Sequence, residues 1–177
     1  ANLSGRFELT PSNVVFTTDK AQLLHYGVVG EIKGAPILVI YAPINRYHIL
    51  DIAPDKSVVN KLVSGGVDTY LLDWGHPGPE DDNLSLKDYV SYVEAAIDFI
   101  KKDSNEDKVS ILGYCWGGIM GLIYSSLHAE NVSRLGLMAV PVDAERDSCI
   151  LSVWAKALDP DKIALEFGHM DGQMLDL

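Results

Sequence analysis

With 177 residues, 47% of them apolar, the chain is long enough for one domain with a buried core and ordinary in composition for a globular protein. Its 25 acidic against 14 basic residues, a net charge of −11, exclude broad nucleic-acid binding, which needs basic surface to neutralise phosphates. They do not exclude one anionic small molecule held by a few local groups. No apolar run reaches the length of a membrane span, and "ANLSGRFELTPSN" lacks the basic-then-apolar pattern of a signal peptide. Two cysteines, Cys115 and Cys149, do not make a disulfide framework, so a reducing, cytoplasmic setting is expected.

In chain order, "FELTPSNVVFTT" offers antiparallel strands ahead of the main pattern. "PILVIY" (36–41) is a continuous apolar run, as in a strand covered on both faces. After the loop "APINRYHILDIAP", residues 55–66 carry apolar side chains at 58, 59, 62 and 63, a helical stripe closed by glycines. "VDTYLLD" (67–73) reads as a strand and "WGHPGPEDDNLS" as a polar loop. Residues 85–102 form a helix with Ser85 as N-cap and Leu86, Tyr89, Val90, Val93, Ala96, Ile97 and Ile100 on one face. A strand (108–114), a helix (117–129) and a strand (132–140) complete the pattern. Strands alternating with helices predict an α/β fold, a mostly parallel sheet with helices on both faces. After Pro141 the pattern changes, to one expected helix over 148–158 and no clear strand, and the chain looks cut off at "MLDL".

"ILGYCWGGIMG" carries the chemistry. Gly113-Tyr114-Cys115-Trp116-Gly117 is G-x-C-x-G between a strand and a helix, the form of the G-x-S-x-G nucleophile elbow with sulfur in place of oxygen. Residues two before and two after such a nucleophile come too close for side chains, so glycine fits at 113 and 117. The following helix N-terminus favours an anion at the sulfur. The Trp116 N–H is expected to face a developing oxyanion, and the second donor should come from the loop after "PILVIY", from Ile44 or Asn45, with Ile44 preferred. The alternative is a tight turn with a buried thiol; Cys149, in "RDSCILSVW", is read that way.

Other polar residues give weaker signals. Asp143 and His169 follow Cys115 in the order nucleophile, acid, histidine, but no strand separates them to bring His169 over the sulfur. His128 ends the elbow helix, and His25, His48 and His76 belong to no motif. Arg46 suits a phosphate of an anionic substrate or an ion pair with Asp51, and "PEDD" (79–82) is a solvated loop. No metal-ligand spacing and no G-x-G-x-x-G is present, so no metal or cofactor is expected.

Taken in order, these motifs resemble the polyhydroxyalkanoate synthases, especially the class III catalytic subunit, on the α/β-hydrolase fold. "GYCWGG" matches that family's cysteine lipase-like box. "NRYHILD" (45–51), "DWG" (73–75), "LKDY" (86–89), "TP-x-x-VV" and "PVD" match in sequence, from about Thr10 to the end. The box alone is weakly specific, whereas the ordered set is strong. The resemblance implies an acyltransferase that moves a hydroxyacyl group from coenzyme A to the cysteine thiol, where the hydroxyl end of a growing polyester attacks. Transfer from thioester to thioester is nearly thermoneutral and keeps the acyl group activated, which explains the sulfur. The expected partners are hydroxyacyl-CoA as substrate, the polyester chain, a second synthase subunit and a second copy in a homodimer, with a place at the polyester granule surface.

In one respect the chain departs from the family. The synthases carry their triad aspartate and histidine beyond a cap segment, and "GHMDGQMLDL" (168–177) resembles a stretch of that cap. The expectation is therefore that residues 1–147 form the N-terminal part of the hydrolase core and 148–177 begin the cap, with His169 on the cap and the acid and base absent. Two other readings stand beside it: an esterase like dienelactone hydrolase, which also uses a "GYC-x-GG" box, and a non-catalytic fragment that binds a partner or a granule.

Overall fold

A computed structural model describes residues 10–76, 78–143, 159 and 162. The chain divides into two compact units, Ala1–Val140 and Pro141–Leu177, and the architecture below is that of the first. Cys149, His169 and the expected cap segment, apart from Asp159 and Lys162, lie outside the described residues.

The sheet begins with a hairpin, β1 (Asn13–Thr18) and β2 (Ala21–Gly27), turned through Asp19 at φ 49. The second strand of this pair, "AQLLHYG", was not anticipated from sequence. β3 (Ile37–Ile40) follows, with Leu38, Val39 and Ile40 fully buried, as its unbroken apolar run requires. A 3₁₀ turn at Tyr47–Leu50 leads into a small hairpin, β4 (Asp51–Ala53) and β5 (Lys56–Ser57). That hairpin takes up residues expected to be helical, so α1 is shorter, Val58–Ser64, with the Ser57 hydroxyl accepting the Asn60 N–H at 2.8 Å.

β6 (Thr69–Asp73), α2 (Leu86–Ser104), β7 (Val109–Tyr114), α3 (Trp116–Leu127) and β8 (Val132–Met138) complete the unit. The strand order is β1-β2-β6-β3-β7-β8. The pairs β6–β3, β3–β7 and β7–β8 are parallel, and β1–β2 and β2–β6 are antiparallel. From β3 the chain crosses to β6 on one side, whereas from β7 it crosses to β8 on the other. Right-handed crossovers in opposite directions put α1 on one face and α3 on the other. α2 packs on α3. Its Val93, Ala96, Ile97 and Ile100 are fully buried, but Leu86, expected on the same stripe, is 45% exposed at the start of the helix.

Of the two roles weighed for Arg46, the ion pair with Asp51 is not what the fold makes. Asp51 is buried, and its carboxylate accepts the Thr10 N–H at 2.9 Å and the Thr10 hydroxyl at 3.1 Å. Arg46 donates instead from Nη1 to the Gly75 carbonyl at 3.2 Å. Burial decides this: a carboxylate taken out of water needs donors at fixed positions, and Thr10 supplies two.

Candidate active site

Cys115 is the single residue between β7 and α3. Its backbone adopts φ 53 and ψ −128, a region that residues with a Cβ rarely enter. The surrounding chain holds it there. Its own N–H donates to the Met138 carbonyl at the end of β8 at 3.0 Å, and the Gly118 N–H donates to the Cys115 carbonyl at 2.9 Å.

The glycine frame follows from contact rather than from special dihedrals. A Cβ on Gly113 would overlap the Gly118 Cα. One on Gly117 would overlap the carbonyl oxygens of Ile40 and Tyr41 at the end of β3, and one on Gly118 the Val140 side chain. At 113 and 117 the obstacle is backbone, which cannot swing aside. The elbow helix therefore lies directly against the carboxyl end of β3.

Strands β3 and β7 are neighbours whose following connections run to opposite faces, the arrangement that opens a crevice beyond the carboxyl ends of a parallel sheet. Cys115, a free cysteine, is partly exposed at this point. Trp116 occupies the first position of α3, where the backbone N–H has no carbonyl within the helix to bind. Across the crevice, the loop after β3 carries Ile44. Asn45, the other expected donor, already gives its N–H to the Ala42 carbonyl at 2.9 Å, which leaves Ile44 as the candidate. Ile44 and Trp116 both line an apolar cavity of about 470 Å³, with Pro43, Leu86, Tyr89 and Met120. The exposure of Leu86 is thereby explained: it is part of a cavity wall. Burial pushes the Tyr89 phenol above its usual value.

The four described histidines make their contacts elsewhere. His25 meets Asp68 at 2.7 Å and stacks on Tyr70. His48 stacks on Tyr47, and His76 is exposed. His128 follows the last turn of α3, near Glu94 and Glu130, with the 12 residues of the helix between it and Cys115. Asp143 belongs to the second unit. Among the described residues no group of three or more His, Cys, Asp and Glu side chains is placed to hold a metal ion, and no helix is long and apolar enough to cross a membrane.

Sequence reasoning missed a polar cluster behind the loop that carries Ile44. Tyr41 and Asp73, at the ends of β3 and β6, share a hydrogen bond of 2.7 Å. The available signal was a tyrosine and an aspartate closing two otherwise apolar runs, "PILVIY" and "TYLLD".

Residues 45–162, well over half of the chain, match the alpha/beta hydrolase fold family. The chain belongs to that family. Residues 3–62 match the N-terminus of poly-beta-hydroxybutyrate polymerase (PhaC). Curated relatives named poly(3-hydroxyalkanoate) polymerase subunit PhaC include those of Haloarcula marismortui (39% identical), Haloferax mediterranei (40%) and Allochromatium vinosum (35%). Each alignment takes in 95% of this chain but only 38%, 35% and 48% of the relative, so the chain spans less than half the length of these relatives. The resemblance carried by the ordered motifs is thus borne out.

Solved structures agree on the fold. A probable hydrolytic enzyme from Pseudomonas aeruginosa PAO1 is similar at TM-score 0.58 and 14% identity, over 75% of this chain and 42% of that one. An alpha/beta hydrolase enzyme from the sediment metagenome of the Mar Chica lagoon, Morocco, is similar at TM-score 0.52 and 16% identity, over 84% and 60%.

Proposed function

We propose that the chain carries the nucleophile-bearing part of a polyhydroxyalkanoate synthase, with Cys115 as the acyl acceptor. The observation that carries this reading is the backbone of Cys115, held at φ 53 and ψ −128 at the carboxyl end of a central parallel strand. Strain of this kind persists only where surrounding structure enforces it, and it presents the side chain above the sheet. The similarity to PhaC polymerases supports the choice of chemistry over that of a hydrolase.

In the proposed step the Cys115 sulfur attacks the carbonyl carbon of a hydroxyacyl-CoA. The carbonyl oxygen becomes an oxyanion, received by the N–H groups of Trp116 and Ile44. The intermediate collapses, the coenzyme A thiolate leaves and takes up, through solvent, the proton that the Cys115 thiol gave up, and the acyl group remains on sulfur as a new thioester. The apolar cavity beside both donors suits the acyl portion. Polymer growth then needs a base to take the proton of the incoming hydroxyl. The reading places that base and its acid partner outside these 177 residues, with His169 on a cap segment and a second synthase subunit, a homodimer and the granule surface as further partners.

Incubation with 3-hydroxybutyryl-CoA tests this directly. The expected result is one equivalent of coenzyme A released and one hydroxybutyryl group on Cys115, without polymer. Sustained turnover lost on His169→Ala would show that the triad is misplaced, and turnover of lactones in preference to the thioester would favour an esterase. Replacing the Ile44 amide by an ester linkage, which removes the N–H and keeps the side chain, is expected to slow acylation about 100- to 1,000-fold.

A further inference from the structure

The loop carrying Ile44 closes one turn of its own, Asn45 N–H to the Ala42 carbonyl, and is tied to the end of the neighbouring strand β6 by further bonds. Tyr41, buried just past β3, donates its hydroxyl to Asp73 Oδ1 at 2.7 Å. The same oxygen of Asp73 accepts the Gly75 N–H at 3.1 Å. Trp74, also buried, donates its indole N–H to the Tyr41 carbonyl at 2.8 Å and its backbone N–H to the Tyr41 hydroxyl at 3.3 Å. Further along, Arg46 reaches the Gly75 carbonyl. The segment from Tyr41 to Arg46 is therefore held at both ends by Asp73–Gly75.

This latch also meets the elbow. The Tyr41 carbonyl that receives the Trp74 indole is one of the two oxygens packed against the Cα of Gly117, two residues after the nucleophile. Trp74 meets the ring of Tyr89 edge-on at 5.3 Å, and Tyr89 shares the apolar cavity with Ile44 and Trp116. Burial, and then the Asp73 charge, push the Tyr41 phenol far above its usual value, so it stays a donor across the working pH range.

We propose that Tyr41 and Asp73 are positioning residues for acyl transfer: they set the loop after β3 so that the Ile44 N–H meets the oxyanion formed at Cys115, and neither touches substrate. The inference rests on the Cys115 reading above. A hydrogen bond from a buried tyrosine to a part-buried carboxylate suits this role because it restricts the geometry, and a displacement of about 1 Å at a distance from the chemistry can cost about 100-fold in rate.

Two reactions of Cys115 separate positioning from general damage. Attack on p-nitrophenyl 3-hydroxybutyrate forms an oxyanion before nitrophenolate leaves; alkylation by iodoacetamide displaces iodide at a saturated carbon and forms none. In Tyr41→Phe the nitrophenolate burst is expected to slow about 10- to 100-fold at an unchanged half-saturating ester concentration, while alkylation keeps its rate. Asp73→Asn, which keeps an oxygen to accept the Tyr41 hydroxyl, should retain more of the burst rate than Asp73→Ala. An unchanged burst in Tyr41→Phe, or a burst and an alkylation rate that fall together, overturns the inference. If the burst depends on Cys115 but not on Tyr41, only the positioning role fails. If it is absent or survives Cys115→Ala, the nucleophile reading fails and the inference with it.

Discussion

Two buried tyrosines make the same bond at opposite ends of the sheet. Tyr41 at the carboxyl end of β3 donates to Asp73 at 2.7 Å, and Tyr70 near the amino end of β6 donates to Asp103 at 2.7 Å. Burial pushes both phenols far above their usual value. The surroundings differ. Tyr70 stacks on His25, which meets Asp68, and this end holds a histidine, two aspartates and a tyrosine with their contacts made among themselves. Tyr41 stands behind a strained cysteine, a glycine frame and an open apolar cavity. Residue types alone would have nominated the histidine end. Position in a parallel sheet nominates the other, because ligands gather beyond the carboxyl ends of its strands.

The most damaging single change should fall at the carboxyl end. Gly117→Ala puts a methyl group into the carbonyls of Ile40 and Tyr41. The expected cost is about 3 kcal/mol of stability, at the upper end for overpacking, because backbone rather than a side chain must yield. Denaturant unfolding measures this, and the nitrophenolate burst should fall with it. A variant as stable and as reactive as the parent would mean that the elbow does not press on β3 as described.

Tyr70→Phe sharpens the comparison because it repeats the Tyr41 change at the other end. Loss of the bond to Asp103 should cost about 1–2 kcal/mol in unfolding free energy. The Cys115 burst should not change. A burst that slows as much in Tyr70→Phe as in Tyr41→Phe would erase the distinction between the two ends.

The smallest effect concerns pH. Asp88, in the first turn of α2, has its carboxyl held below the usual carboxylate value by the Ser85 hydroxyl and backbone N–H at 2.6 and 2.7 Å. A depressed carboxyl contributes stability that is present above its unfolded value, about 4, and is lost as pH falls through the lower folded value. The stability difference between the parent and Asp88→Asn should therefore be visible at neutral pH and shrink below about pH 4. Leu86 and Tyr89 of the same helix line the cavity, so the nitrophenolate burst of Asp88→Asn can be read beside its stability.

Much of this was legible in the sequence where the cause is local. The elbow could be read because a nucleophile turn leaves no room at Gly113 and Gly117, and glycine is the visible trace of that crowding. α2 could be read because its apolar spacing survives for many turns. The β4–β5 hairpin could not, since two- and three-residue strands carry no period. Asp51 was misassigned because its partner, Thr10, lies 41 residues away, whereas Arg46 lay within local reach. Tyr41 and Asp73 are 32 residues apart, and only the pairing of β3 with β6 brings them together.

The central claim, that Cys115 is the acyl acceptor, is tested most directly by mass spectrometry of the protein after 3-hydroxybutyryl-CoA, in the parent, Cys115→Ala and Cys149→Ala. The account predicts one hydroxybutyryl adduct in the parent and in Cys149→Ala, mapped to the peptide containing Gly113–Gly118, and none in Cys115→Ala. An adduct that persists in Cys115→Ala, or equal labelling of the two variants, would contradict it.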